Sequence, residues 1–227
     1  MDKFLTFFND YIYDLLYMVP AVLISLTIHE YAHAWMATKL GDPTPRYDKR
    51  LSLNPIRHID PLGALVMIIA RFGWAKPVRI NPMYFKEPSK GMMITALAGP
   101  ISNLILCFIS SLLWALSLVL FFFYGIPEYF SQLFSMMTLL NITLAVFNLI
   151  PIPPLDGSRV LSHYFPRYAV FTSRYGNIIY IIFIALLILP DFIPGIPDVF
   201  GTVINWFQVV IVERLMGLWL FVFNLFL

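Results

Sequence analysis

The sequence has 227 residues, 59% of them hydrophobic and only 12% charged, with a formal net charge of +2. Soluble domains carry about 25% charged residues, so half that share, gathered between long apolar runs, excludes a water-soluble globule and points to an integral membrane protein. A single cysteine, Cys107, excludes an intramolecular disulfide and any cysteine-built metal site.

No linker, repeat, acidic tail or low-complexity tract divides the chain, which reads as one transmembrane domain over 1–227. The N-terminal apolar stretch is broken by Asp10 and Asp14 and carries no small-residue cleavage site before residue 29. It is therefore expected to be mature protein rather than a signal peptide. A first helix is predicted over about Tyr11 to Leu40, stopped by Lys39, Gly41 and Pro43. A polar, basic stretch follows to Asp60. The apolar run from Pro61 to Ala70 falls short of the roughly 20 residues a span needs. Its continuation through Gly73, Pro77, Val78 and Pro82 favours an extended or re-entrant hairpin, which membrane depth tolerates only where protein or a water-filled cavity satisfies the backbone.

Further spans are expected over about Met92 to Tyr124, Phe130 to Ile150, Ile178 to Leu189 (extending to Ile193) and Phe200 to Phe223. A loop with an interfacial stretch occupies Pro153 to Tyr175. The expected class is thus an all-α membrane protein, a polytopic transmembrane helix bundle of about five spans with a short re-entrant or membrane-embedded β hairpin. Charge supports this count. Ten of the fifteen basic residues lie between Lys39 and Lys90, and Arg159, Arg167 and Arg174 follow the third span. The connections around Glu128 and over 190–197 carry none, so the basic loops share the cytoplasmic side, which requires that 59–90 return to the face it left. Trp74, Trp206 and Trp219 suit interface anchors. Glu213 and Arg214 interrupt the last apolar segment and favour an interfacial placement over a gate or a mutual pair.

His29-Glu30-Tyr31-Ala32-His33 stands inside the first predicted helix. Positions four apart share a helical face, about 6 Å apart along the axis, so two neutral imidazoles can converge on one zinc ion. Glu30 cannot join that geometry, but it can act as general base toward water at such a metal. The plain alternative is a pair of buried helix histidines satisfied by neighbours. The hydrophobic surroundings weigh against it, because polar groups in a span are expensive and usually functional.

A catalytic zinc takes three protein ligands and leaves a position open. His58 and His163 sit in basic loops. Asp156 fits better, in Asn148-Leu-Ile-Pro-Ile-Pro-Pro-Leu-Asp-Gly157, where a helix ends and a rigid turn re-enters. Asp-Gly also turns loops without any chemistry, and taken alone that is the more ordinary reading.

Together these segments resemble the site-2 protease family of intramembrane metalloproteases. The resemblance rests on His29-Glu-Tyr-Ala-His33, Ser52-Leu-Asn-Pro-Ile-Arg-His-Ile-Asp-Pro-Leu-Gly63, Gly73-Trp-Ala-Lys-Pro-Val78, Ala98-Gly-Pro-Ile-Ser-Asn103 and Asn148 to Gly157, in order over about residues 20 to 160. The helices over about 176–227 are additions to that core. No PDZ or CBS domain has room, as in the family's compact form. The resemblance implies that His29, His33 and Asp156 ligate one Zn2+ and that Glu30 is the catalytic acid/base. It also implies that Asn148 lies near the substrate or stabilises the oxyanion, against the alternative of an interhelical hydrogen bond. The 73–81 region resembles the family's membrane-embedded strand pair, which could join an unwound substrate by strand addition. Ala98, Gly99 and Ser102 suit close helix packing.

The expected function is hydrolysis of a peptide bond in or near a transmembrane segment of a membrane-protein substrate, as in regulated intramembrane proteolysis. The expected setting is the cell membrane. The expected partners are a transmembrane-helix substrate and the bilayer, with a regulatory membrane partner or homo-oligomer left open and no nucleic acid. A catalytically inactive binding relative and a metal transporter are the alternatives. The transporter requires ligands on several spans, and intact Glu30 argues against the inactive relative.

Overall fold

The computed structural model describes residues 2–70, 75–193 and 195–224. Among the described residues eight α-helices run in the order α1 (Asp2–Lys39), α2 (Thr44–Tyr47), α3 (Pro61–Ala70), α4 (Pro88–Tyr124), α5 (Tyr129–Leu149), α6 (Asp156–Tyr164), α7 (Pro166–Phe192) and α8 (Val199–Asn224). Five of them, α1 from Tyr11 onward, α4, α5, α7 and α8, are long and apolar enough to cross a bilayer. Among the described residues there is no β-strand.

The core forms where α1, α4 and α5 meet. Their facing positions are small: Ala21, Ser25, Ala34 and Ala37 on α1, Ala96, Ala98 and Gly99 on α4, and Ala145 on α5 are buried. Lipid tails give helices no hydrophobic reason to associate, so small residues that let backbones approach supply the packing instead. Large apolar side chains such as Phe122, Ile181 and Phe221 point outward. Helix α8 lies against α5 and α4. There Gln208 Nε2 donates to Thr143 Oγ1 at 2.9 Å and Trp219 Nε1 to Ser111 Oγ at 2.9 Å. Trp219 is therefore a buried docking residue, not the interface anchor expected of it.

Local chemistry explains the boundaries. Helix α1 ends where Gly41 takes φ +113° and the Asp42 N–H returns to Ala37 O, a C-terminal wrap that favours glycine. The fourth span begins earlier than hydropathy suggests, because Pro166 occupies the first helical position of α7, where its missing N–H is no loss. The stretch from 156 to 175, expected as loop, is accordingly almost all helix.

The stretch from 61 to 81 divides in two, and the expected β hairpin is not found among the described residues. Pro61–Ala70 is helical, started by Asp60, whose Oδ1 accepts from the N–H groups of Leu62 and Gly63 at 3.0 Å. Residues 75–81 are extended, joined to the preceding loop by one antiparallel bridge, Ile59 to Ala75. Gly73 and Trp74, part of the expected hairpin, lie outside the described residues.

Several side chains strap this extended segment down. The buried Arg50 guanidinium donates to Arg57 O at 2.5 Å and Lys76 O at 3.2 Å. Lys76 N–H donates to His58 O at 2.8 Å. At the far end the fully buried Asp42 carboxylate accepts from Asn81 N–H at 2.7 Å and Thr44 N–H at 2.9 Å. The strap is thus tied to the end of the helix that carries His29 and Glu30.

Candidate metal centre and active site

His29 and His33 stand four positions apart on α1, so both rings face α4, 5% and 7% exposed. Space for them exists because Gly99 stands opposite. A Cβ there would lie 2.6 Å from His29 Cε1 and within 2.4 Å of His33 Nε2. Gly99 was expected to serve close helix packing; what it admits is the pair of imidazoles.

Each ring is held by its far nitrogen. His33 Nδ1 lies 2.8 Å from the backbone carbonyl of Thr95, and His29 Nδ1 lies 2.5 Å from Asn103 Oδ1. Both partners are acceptors, so each Nδ1 carries a proton and Nε2 of each ring is the nitrogen left to face a metal. Those two Nε2 atoms sit 3.0 Å apart. Metal-bound histidines are oriented in this way by outer partners.

The third group arrives from distant sequence. Helix α5 ends at Leu149, the proline-rich turn reverses the chain, and Asp156 opens α6. Gly157 permits the tight return, since a Cβ there would fall 2.1 Å from Leu149 O. Asp156 Oδ2 lies 3.4 Å from His29 Nε2 and 3.3 Å from His33 Nε2. Burial acts to raise the Asp156 carboxyl, but the two imidazoles outweigh it and hold it at about 2. It is an anion.

Two imidazole nitrogens and a carboxylate oxygen converge at 3.0–3.4 Å, close enough for a single cation to lie among them. Asp156 Oδ2 is moreover buried without any hydrogen-bond partner, an arrangement that costs free energy unless something else satisfies it. A tetrahedral zinc with bonds of about 2.0–2.1 Å spaces its donor atoms by about 3.3 Å. The donor set therefore fits such an ion. Among the described residues this is the one cluster of three His, Cys, Asp or Glu donors that could hold a metal.

Glu30 stands beside the ligand pair but points elsewhere. Its Oε2 accepts the Val78 N–H at 3.0 Å, so the strap at 75–81 touches the helix at this carboxylate. Asn148 donates from Nδ2 to Leu144 O, on its own helix, at 2.9 Å. Among the described residues it makes no interhelical hydrogen bond of the kind weighed in the sequence. His58 and His163 stay outside the cluster: His58 Nε2 meets Ser52 O at 2.7 Å and His163 Nδ1 meets Ser89 Oγ at 3.0 Å.

Sequence reasoning passed over Asn103, Thr95 and Val78. The signal for Asn103 was available, a lone amide one turn beyond Gly99 in an apolar helix. Thr95 and Val78 act through backbone atoms, which no residue pattern announces.

The sequence profile of Peptidase family M50 matches residues 125–190, the stretch holding Asn148 and Asp156. The chain is 40% identical over 184 residues to YwhC, a candidate zinc metalloprotease of Bacillus subtilis (strain 168), covering 77% of this chain and 81% of that protein. The chain belongs to peptidase family M50. This M50 chain is also 33% identical over 146 residues to Rip2, a candidate zinc metalloprotease of Mycolicibacterium smegmatis, covering 62% of the chain and 54% of Rip2. It is 26% identical over 155 residues to the zinc metalloprotease MJ0392 of Methanocaldococcus jannaschii, covering 68% of the chain and 34% of that protein. No solved structure matches it. Family membership and five span-length apolar helices together make it a multi-pass membrane metallopeptidase.

Proposed function

We propose that the chain is an intramembrane zinc protease that hydrolyses a peptide bond in or near a transmembrane segment of a membrane-protein substrate. In this reading His29, His33 and Asp156 hold one zinc ion and Glu30 is the general acid/base. One observation carries the assignment: the buried Asp156 Oδ2 has no hydrogen-bond partner and lies 3.3–3.4 Å from Nε2 of both imidazoles.

Zinc, when bound, polarises the scissile carbonyl and lowers the pKa of water toward about 7. The chain's own groups supply the rest. His29 and His33 are oriented through Asn103 and Thr95, which leaves Nε2 of each ring to face the metal. Glu30, steadied by the Val78 N–H, takes a proton from water and later delivers it to the leaving amine. Asn148 serves the developing oxyanion by releasing Leu144 O and turning its amide outward.

The strap offers the substrate a backbone. A transmembrane helix must lose its internal hydrogen bonds before it is cut, and an extended chain beside Glu30 can replace some of them by strand addition. The whole chain, 1–227, acts as one protease domain, with its basic loops on the cytoplasmic face of the cell membrane. A transporter would need ligands on several spans away from this centre, and no second cluster exists among the described residues.

The test is zinc per chain and peptide hydrolysis in detergent-solubilised wild type, Glu30→Gln and Asp156→Ala. About one zinc in wild type and Glu30→Gln, weakened binding in Asp156→Ala, and hydrolysis in wild type alone is the expected pattern. A metal-replete wild type without zinc would sink the proposal.

A further inference from the structure

The proposed metal site needs both imidazoles in one tautomer, with the proton on Nδ1 and Nε2 left bare. For His33 a backbone carbonyl, Thr95 O, enforces this directly, because it can only accept. His29 has no such carbonyl. Its Nδ1 meets the side chain of Asn103, and an asparagine can present either an oxygen or an NH2 group. A reversed Asn103 would move the His29 proton to Nε2 and block the metal face.

The choice is made one layer further back. Asn103 Nδ2 donates to Asn141 Oδ1 at 2.7 Å and reaches the Ser25 carbonyl at 3.4 Å. Asn141 Nδ2 donates to Ser25 Oγ at 2.8 Å and to Met137 O at 2.7 Å. Met137 O, a backbone carbonyl, can only accept. The Asn141 NH2 must therefore face it, which turns Oδ1 toward Asn103. Asn103 must then present its NH2 to Asn141 and its oxygen to His29. The Ser25 hydroxyl can donate or accept and follows whatever its neighbours require. Ser25, Asn103 and Asn141 are all 0% exposed, so no solvent is at hand to satisfy a reversed amide, and each reversal would leave buried groups unpaired.

We propose that Asn141, fixed by the Met137 carbonyl, is a positioning residue of the metal centre: through Asn103 it sets the His29 tautomer and keeps Nε2 free. Both proposed imidazole ligands then take their proton placement from backbone carbonyls, His33 in one step and His29 through two amides. The inference rests on the proposed metal site and assigns a role to a side chain that touches neither the ligands nor substrate.

Asn141 also joins α5 to α4 and α1, so a structural role must be separated from the relay. Asn141→Asp keeps an acceptor for Asn103, whereas Asn141→Leu has similar size and none. A packing role ranks Leu above Asp, since Asp brings a carboxyl into an apolar interior. The relay ranks Asp above Leu. Two readouts apply to the full chain in detergent: zinc affinity by chelator competition, and the 15N spectrum of histidine-labelled, metal-free protein, which has four histidines to resolve. Wild type and Asn141→Asp are expected to show the Nδ1–H tautomer at His29 and zinc affinities within about threefold, with Asn141→Leu about 10–100-fold weaker and its tautomer mixed. Wild-type affinity or an unchanged tautomer in Asn141→Leu, or Leu binding better than Asp, overturns the relay. A wild type that binds no zinc overturns the metal site itself, while the metal-free spectrum still reads the relay. Should Asn141→Leu not fold, Asn141→Ala removes the same acceptor without added bulk and is judged by the same criteria.

Discussion

Replacing Gly99 by alanine should empty the metal centre without touching any proposed ligand. The new methyl would lie 2.4 Å from His33 Nε2 and 2.6 Å from His29 Cε1. Comfortable contact begins near 3.5 Å, so the rings must retreat by about 1 Å. They are poorly placed to do so, because Asn103 Oδ1 and Thr95 O hold their far nitrogens. Zinc ligation tolerates only about 0.2 Å of such movement, and a 1 Å misplacement at a catalytic centre costs about 100-fold in rate. Overpacking of this kind destabilises by about 1–3 kcal/mol, partly offset by the better helix propensity of alanine, worth about 0.5–1 kcal/mol. The assay is zinc per chain, peptide hydrolysis and thermal stability for Gly99→Ala beside Gly176→Ala, a helix glycine whose Cβ would meet nothing within 4 Å. Zinc and activity should fall at least tenfold in the first and stay at wild-type levels in the second. A Gly99→Ala protein with full zinc and full activity would refute the view that this glycine exists to admit the two imidazoles.

Three further outcomes are expected. Glu30→Gln should keep its zinc and lose hydrolysis by about 100-fold or more, measured as metal content against turnover; loss of metal instead would make Glu30 a ligand. Asp42→Ala removes the carboxylate that ties Asn81 to the end of α1. It should lower turnover by about tenfold or more through a loosened strap while leaving zinc bound, and unchanged kinetics in a folded variant would detach the strap from Glu30. Arg79→Ala breaks a bidentate contact with Asp48, but the arginine side chain is 80% exposed, so its thermal unfolding should shift by no more than about 1 kcal/mol of stability allows.

The five apolar helices and the H-E-x-x-H face were legible in the sequence because both follow from local rules. Apolar residues in runs of more than about 20 have one solution in a bilayer, and residues four apart share a helical face wherever the helix goes. The motif around Asp156 was legible as a turn near a helix end and as the candidate third ligand, but not how closely it would approach His29 and His33. Pro61 to Ala70 was legible only as too short to cross; the cap at Asp60 that decides for helix looks in sequence like any turn residue.

Local rules thus determined that the chain spans a membrane and carries two convergent histidines beside a carboxylate. Only the tertiary structure decided that Asp156 arrives 3.3–3.4 Å from them, that Gly99 makes the room, and that Val78 meets Glu30. Those contacts join residues 48 to 127 positions apart, several through backbone atoms, and their geometry depends on how three helices cross rather than on any spacing along the chain.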